Sequence, residues 1–162
     1  MKVAEIQHVR EGRVIWEDRN LYNILHSGGE QFLLECLFAN DGTLIPTSYY
    51  LGLDARTGLD VLNTMSDLED EPTENGYIRQ ALGSNGGWSV SLVSDVYRAI
   101  GNIITFSAVG GSWGPVTNLF LTNRSDNNGV LIASVLLSSA LTLNNGDSIN
   151  MRMSVSLRDY PT

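Results

Sequence analysis

The chain has one cysteine and two histidines in 162 residues, and only ten Lys and Arg. Each shortage removes a class of function. Cys36 alone cannot form an internal disulfide, and its apolar neighbours mark it as a small buried hydrophobe. One cysteine with His8 and His26 cannot compose a structural zinc site of the usual spacing. The ten bases face eighteen Asp and Glu, for a net charge of −8. Binding nucleic acid takes clustered Lys and Arg against phosphate, so neither a nucleic-acid partner nor an anionic membrane surface is expected. The apolar run from Val130 to Leu143 is too short to cross a bilayer as a helix. The opening residues, Met-Lys-Val-Ala-Glu-Ile-Gln-His, hold no continuous apolar core of a secretory signal. The expectation is a soluble protein made in the cytosol, without cofactor or metal.

Catalytic motifs are equally sparse. Gly110-Gly111-Ser112-Trp113-Gly114 has the G-x-S-x-G form of a hydrolase nucleophile elbow. That device needs a helix after the serine and a histidine later in the chain. Pro115 and a strand pattern follow instead, and both histidines precede Ser112, so the match is accidental and no enzyme is expected. The acids Asp67, Glu69, Asp70 and Glu71 lack the ordered spacing of a calcium loop and read as a solvated face. Between Asp54 and Glu74 there are seven acids and one base, Arg56, so this segment carries −6 of the −8. With Pro72 inside it, it reads as an acidic loop, with Leu59 and Leu62 turned inward.

Short alternating stretches fill most of the remainder. From Ser148 to Arg158, Ile149, Met151, Met153, Val155 and Leu157 occupy every second position. Only a strand gathers them on one face, because its side chains alternate. Val3 to Val9 and Arg13 to Trp16 read as a hairpin around Arg10-Glu11-Gly12, within an N-terminal stretch 1–18 that could stand out as an arm. Further strands are expected at Ser48–Leu53, Tyr77–Leu82, Trp88–Val93, Val96–Ile100, Ile103–Val109, Val116–Thr122 and Val130–Leu137. Asn75-Gly76, Asn85-Gly86-Gly87, Gly110-Gly111, Asn127-Asn128-Gly129 and Asn144-Asn145-Gly146 supply the tight reversals. Ser27 with Glu30 has capping-box spacing before Phe32 to Phe38, predicting one short helix that plugs an end of the core and stops at Asn40-Asp41-Gly42. The fold class is therefore mainly β: a single antiparallel β-sandwich of the jelly-roll or immunoglobulin-like kind over 1–162, with one short N-terminal α-helix.

Two stretches carry a resemblance. Asn20-Leu21-Tyr22-Asn23-Ile24-Leu25, followed by Gly28-Gly29-Glu30 and an apolar helix, resembles the opening of many small virion proteins of tailed bacteriophages. Glu71-Pro72 followed by Asn75-Gly76-Tyr77-Ile78-Arg79-Gln80-Ala81-Leu82 resembles a G-Y-x-R-Q-A strand of the same kind of protein. The similarity runs loosely from Trp16 to Leu157 and brings no catalytic residues. It implies a virion component made in the host cytoplasm: a head decoration (cement) protein, trimeric, bridging and stiffening the major capsid protein shell. The alternative it implies is a tail, fibre or baseplate module that binds host glycan or other tail proteins. Candidate partner contacts are the first hairpin and Trp113, Trp88, Arg79, Tyr49 and Tyr50. A sandwich core commonly holds a tryptophan, so Trp16, Trp88 and Trp113 read first as structural. The glycine-flanked Trp113 is the best candidate among them for an exposed anchor, and Trp113, Tyr49 or Tyr50 could stack on sugars.

Overall fold

The computed structural model describes residues 2–39, 45–56, 58–83, 87–93 and 95–156. Ten strands form: β1 (Lys2–Arg10), β2 (Arg13–Leu25), β3 (Ser48–Asp54), β4 (Gln80–Gly83), β5 (Trp88–Val93), β6 (Val96–Gly101), β7 (Ile104–Ser107), β8 (Trp113–Thr122), β9 (Leu131–Leu143) and β10 (Ser148–Val155). One helix, α1 (Ser27–Leu34), continues into a π-helical turn over Glu35–Ala39. All pairings are antiparallel, in the order β4-β3-β8-β9-β2-β1-β10-β6-β5, with β7 beside the first half of β10. β2 serves two sheets: Arg13 to Tyr22 pairs with β1, and Asn23 to Leu25 pairs with β9. The chain is thus a mainly β sandwich with one short helix, as its alternation predicts.

Alternation places the core. In β10, Ile149, Met151 and Met153 are buried, while Arg152 between them is exposed. Ile6 lies opposite Met151, and both join Leu51, Leu53, Leu119, Leu121 and Val135 of the second sheet in one cluster. Each such aliphatic side chain stabilises the fold by about 1.5–3 kcal/mol gross. Phe32 of α1 enters the same cluster with Leu33 and Cys36 packed beside it, so the helix closes one end of the sandwich.

Several expectations need correcting. β1 has β2 on one side and β10 on the other, so the first hairpin is a central part of its sheet and not an arm. Its turn holds Glu11 and Gly12, both at positive φ, which keeps the reversal tight enough for a continuous ladder. β2 runs on past Trp16 to Leu25, because it must bridge the sheets. β4 begins only at Gln80; Tyr77 and Arg79 are held instead by side-chain bonds described below. His26, not Ser27, precedes the first helical residue, and no side-chain cap forms there. A capping box does form at Thr64 and Asp67, around a 3-10 turn over Met65–Asp67. The turn signals at Asn40-Asp41-Gly42 and Asn85-Gly86, and the last two residues of the expected final strand, Leu157 and Arg158, lie outside the described residues.

The acidic segment is more than a loop, because β8 is apolar on both faces. Leu119 and Leu121 point into the main core, which turns Phe120 to the outer face of the sheet. There Phe120 is fully buried with Met65 and Leu131, and Leu68 packs against them. Leu59 is buried as expected, but Leu62 is 75% exposed. Gly52 makes the fit possible: a Cβ at that position would lie 2.2 Å from Cζ of Phe120. Phe120 is itself fully buried against Met65 and Leu131. Gly52→Ala should therefore cost about 1–3 kcal/mol by overpacking, measured as a lower urea midpoint at unchanged m-value.

Candidate functional site

Among the described residues, three polar clusters and one apolar groove stand out as places where chemistry or docking could reside. The first cluster joins the two sides of the Asn-Gly turn. Glu71 accepts the Tyr77 hydroxyl proton at 2.7 Å and a two-pronged bond from Arg79, Nε at 2.8 Å and Nη2 at 2.5 Å. Arg79 also donates to the Asp126 carbonyl at 2.6 Å and to Asn127, and its guanidinium lies 5.1 Å over the Phe120 ring. Burial pushes the Tyr77 phenol well above its ordinary pKa, so the ring stays neutral and donates to the carboxylate. The backbone amide of Leu53 donates to the same hydroxyl at 2.9 Å. The two halves of the Glu71-Pro72…Gly76-Tyr77-Ile78-Arg79 motif thus close on each other.

A second cluster centres on Asp147, which follows the Asn144-Asn145-Gly146 turn. Its carboxylate is 2% exposed and accepts Arg10 Nε at 2.9 Å, Arg10 Nη2 at 2.7 Å and the Asn144 amide at 2.8 Å. His8 Nε2 lies 3.0 Å from the same carboxylate. The hydrogen bonds from Arg10 hold the Asp147 pKa well below the usual carboxylate range. The tip of the first hairpin is thereby fastened to the β9–β10 turn. At Asp54 the balance is opposite. Its carboxylate accepts the amides of Arg56 and Asp70, yet desolvation outweighs those bonds and raises its pKa.

The third cluster pairs His26 with Ser134, Nε2 to Oγ at 2.9 Å. Burial lowers the imidazole pKa, so it is neutral at pH 7. A histidine on a hydroxyl resembles half of a hydrolytic site. However, His26 and Ser134 are both closed to solvent, and the amide of the next residue, Ser27, donates to the Val61 carbonyl at 2.7 Å. Ser112, the serine of the elbow-like motif, is exposed, while His8 and His26 spend their Nε2 atoms on Asp147 and Ser134. Among the described residues no group of three or more His, Cys, Asp or Glu gathers to hold a metal, and no helix is long and apolar enough to cross a membrane.

The predicted contact residues are scattered and mostly turned inward. Trp113 is the correction that matters: it is buried, not an exposed anchor. It is the first residue of β8, its indole donates to the Asn75 carbonyl at 3.1 Å, and it meets the Tyr77 ring edge-on at 5.4 Å. Glycines around a tryptophan let it fold in as readily as stand out. The Arg79 side chain is 5% exposed, its guanidinium already committed to Glu71, Asp126 and Asn127. Tyr49 and Trp88 are half-buried and pack edge-to-face at 6.4 Å. Tyr50, also half-buried, stands in the β3 ladder opposite Ala81 and Thr122.

What the chain exposes is elsewhere. Leu34, Leu37 and Phe38 of the helical segment form one wall of a groove, and Val90 and Tyr97 of the β5–β6 hairpin form the other. Leu92, opposite Tyr97 in the ladder, extends that second wall. These six side chains are between 57 and 78% exposed. Leu25, Leu33, Ala99 and Val155 form the floor, with Glu30, Asp95 and Arg98 also lining the groove. Scattered exposed hydrophobes are ordinary, but these line one continuous groove. Sequence reasoning missed it because periodicity shows that a face is apolar and not whether anything covers it.

No protein-family model matches the chain, and no curated protein matches it.

Asp147 sets an acid dependence whose sign is fixed. Its folded pKa lies below the unfolded value of about 4, so its contribution is present above that pH and is lost as pH falls through the depressed value. Asp147→Asn should cost about 3 kcal/mol at neutral pH and flatten the acid limb of stability against pH in urea titrations. Arg79→Lys keeps the charge but loses the fork on Glu71; it should cost about 2–3 kcal/mol, with Lys as destabilising as Ala within error.

Proposed function

We propose that the chain is a non-enzymatic structural component of a tailed-phage particle, acting as a head decoration protein that binds the major shell protein and stabilises the assembled shell. The observation that carries this reading is the groove between the helical segment and the β5–β6 hairpin, an apolar patch with two walls. The polar clusters support it from the other direction, because each one fastens segments of the chain together. The first hairpin exposes Val14 and Ile15 near its tip and supplies a second, smaller contact. Binding that occurs only on the assembled shell stabilises it by mass action. The glycan-binding alternative relied on Trp113, Tyr49 and Tyr50 as sugar platforms. Trp113 is buried and Tyr49 packs on Trp88, so that reading has less support.

The test is co-sedimentation with empty heads of the phage that encodes the chain, followed by thermal melting of those heads. The chain should pellet with the heads and raise their melting temperature. Leu37→Ser with Phe38→Ser removes two exposed side chains and should leave the fold intact. It should weaken head binding about tenfold or more, since each side chain buried in the contact contributes about 1.5–3 kcal/mol. Heads that melt at the same temperature with the chain bound would exclude the stabilising role, and unchanged binding by the double variant would exclude the groove.

A further inference from the structure

β5 ends its sheet: β6 pairs with one side of it, and no described strand pairs with the other. Its sequence, Trp-Ser-Val-Ser-Leu-Val, contains no charge, no proline and no glycine. An open edge offers unpaired amides and carbonyls to any other strand, so proteins usually blunt it with a lysine, a proline, a bulge or a covering segment. None of the first three guards β5, whose register with β6 runs without a shift from Trp88–Gly101 to Val93–Val96. In an antiparallel ladder alternate residues spend their backbone groups on the neighbouring strand. With two residues connecting Val93 to Val96, the inward set is Ser89, Ser91 and Val93. Val90 and Leu92 therefore direct their amides and carbonyls to the open edge.

We propose that β5 pairs antiparallel with β5 of a second copy of this chain, about a two-fold axis at Ser91. The strand is self-complementary in that register. With Ser91 opposite Ser91, Val90 of each copy faces Leu92 of the other, so the residues with free backbone groups meet and their apolar side chains are matched. Charge does not oppose the approach locally, because the strand is neutral and the acidic segment lies against the other sheet. A head-to-tail ring would need a second open edge. β4, at the far end of the strand order, offers a shorter one: it has only four residues, Gln80–Gly83, and its Gly83 carbonyl already accepts the Gly87 amide at 3.1 Å. The contact uses backbone at the edge and leaves the Val90, Leu92 and Tyr97 face open, so it stands independently of the shell-binding reading.

Two measurements on the full chain decide it. Sedimentation should find wild type at twice the chain mass and Leu92→Pro at the single chain mass with an unchanged circular dichroism spectrum, since proline at the edge removes an outward amide without touching the β6 ladder. Ser91→Cys should form a covalent dimer under mild oxidation, whereas wild type, with only Cys36, should not; this result decides alone if Leu92→Pro fails to fold. A wild type that is monomeric at every concentration up to its solubility limit would overturn the proposal. So would an oligomer, three-fold included, that survives Leu92→Pro and leaves Ser91→Cys uncrosslinked. Head binding is scored separately, so either reading can fail without the other.

Discussion

A fully buried phenylalanine on the outer face of its sheet determines much of how this chain is arranged. Leu119 and Leu121 supply the core, so Phe120 between them must point away from it. Left bare, that ring would face water. The segment after β3 crosses back over it, bringing Met65 and Leu68 to its surface, while the Arg79 guanidinium lies over the ring. Gly52 is bare for the same reason, since any side chain there would occupy the ring's place. The acidic character of the covering segment follows from its having a dry side and a wet side: Met65 and Leu59 turn in, and Asp60, Glu69 and Asp70 turn to solvent or to backbone amides.

Covering one face with an irregular segment creates its own demand, because irregular backbone leaves polar groups that must be paired. The chain meets that demand with buried and part-buried carboxylates. Asp54 receives the amides of Arg56 and Asp70 at the two ends of the segment; Glu71 receives Tyr77 and Arg79 just beyond it. Asp147 does the same for the opposite corner, where the first hairpin meets the β9–β10 turn. These carboxylates differ in cost. Asp147 has a guanidinium against it and prefers the charged state, whereas Asp54 has only backbone amides and is pushed toward neutrality. Removing a partner from either leaves a buried polar group unpaired, so the network specifies geometry as much as it adds stability.

Period-two patterns were readable along the chain because they depend only on side-chain alternation. Ile149, Met151 and Met153 are buried at the positions the pattern marks, and β5 begins and ends where Trp88 to Val93 alternates. Patterns failed where a tertiary contact outbids a local one. Tyr77 and Arg79 alternate like strand residues, but Glu71 draws both away from the ladder. Ser27 and Glu30 have capping spacing, yet the Ser27 amide is taken by the Val61 carbonyl, and the box forms instead at Thr64 and Asp67. Trp113 sits among glycines and looks presented, but the Asn75 carbonyl and the Tyr77 ring lie within its reach. The groove was illegible for a different reason: a helix with a broad apolar face reads the same whether its outer half is covered or bare.

What remains outside bears on function by its geometry. The paired polar clusters are turned to the chain's own segments, and the hydroxyl that meets an imidazole, Ser134 with His26, is closed to solvent. Among the described residues, an apolar side-chain face and a neutral backbone edge are left open, and they meet at the same hairpin at right angles. Side chains of a strand stand perpendicular to the sheet, whereas its free amides and carbonyls lie in the sheet plane. One hairpin can therefore engage a broad apolar surface through Val90, Leu92 and Tyr97 while its edge engages another strand. Two chains joined edge to edge would carry both apolar faces on one side of a continuous sheet. Such a pair contacts a repeating surface at two points, and each point of attachment raises the effective concentration of the other without any new contact being made.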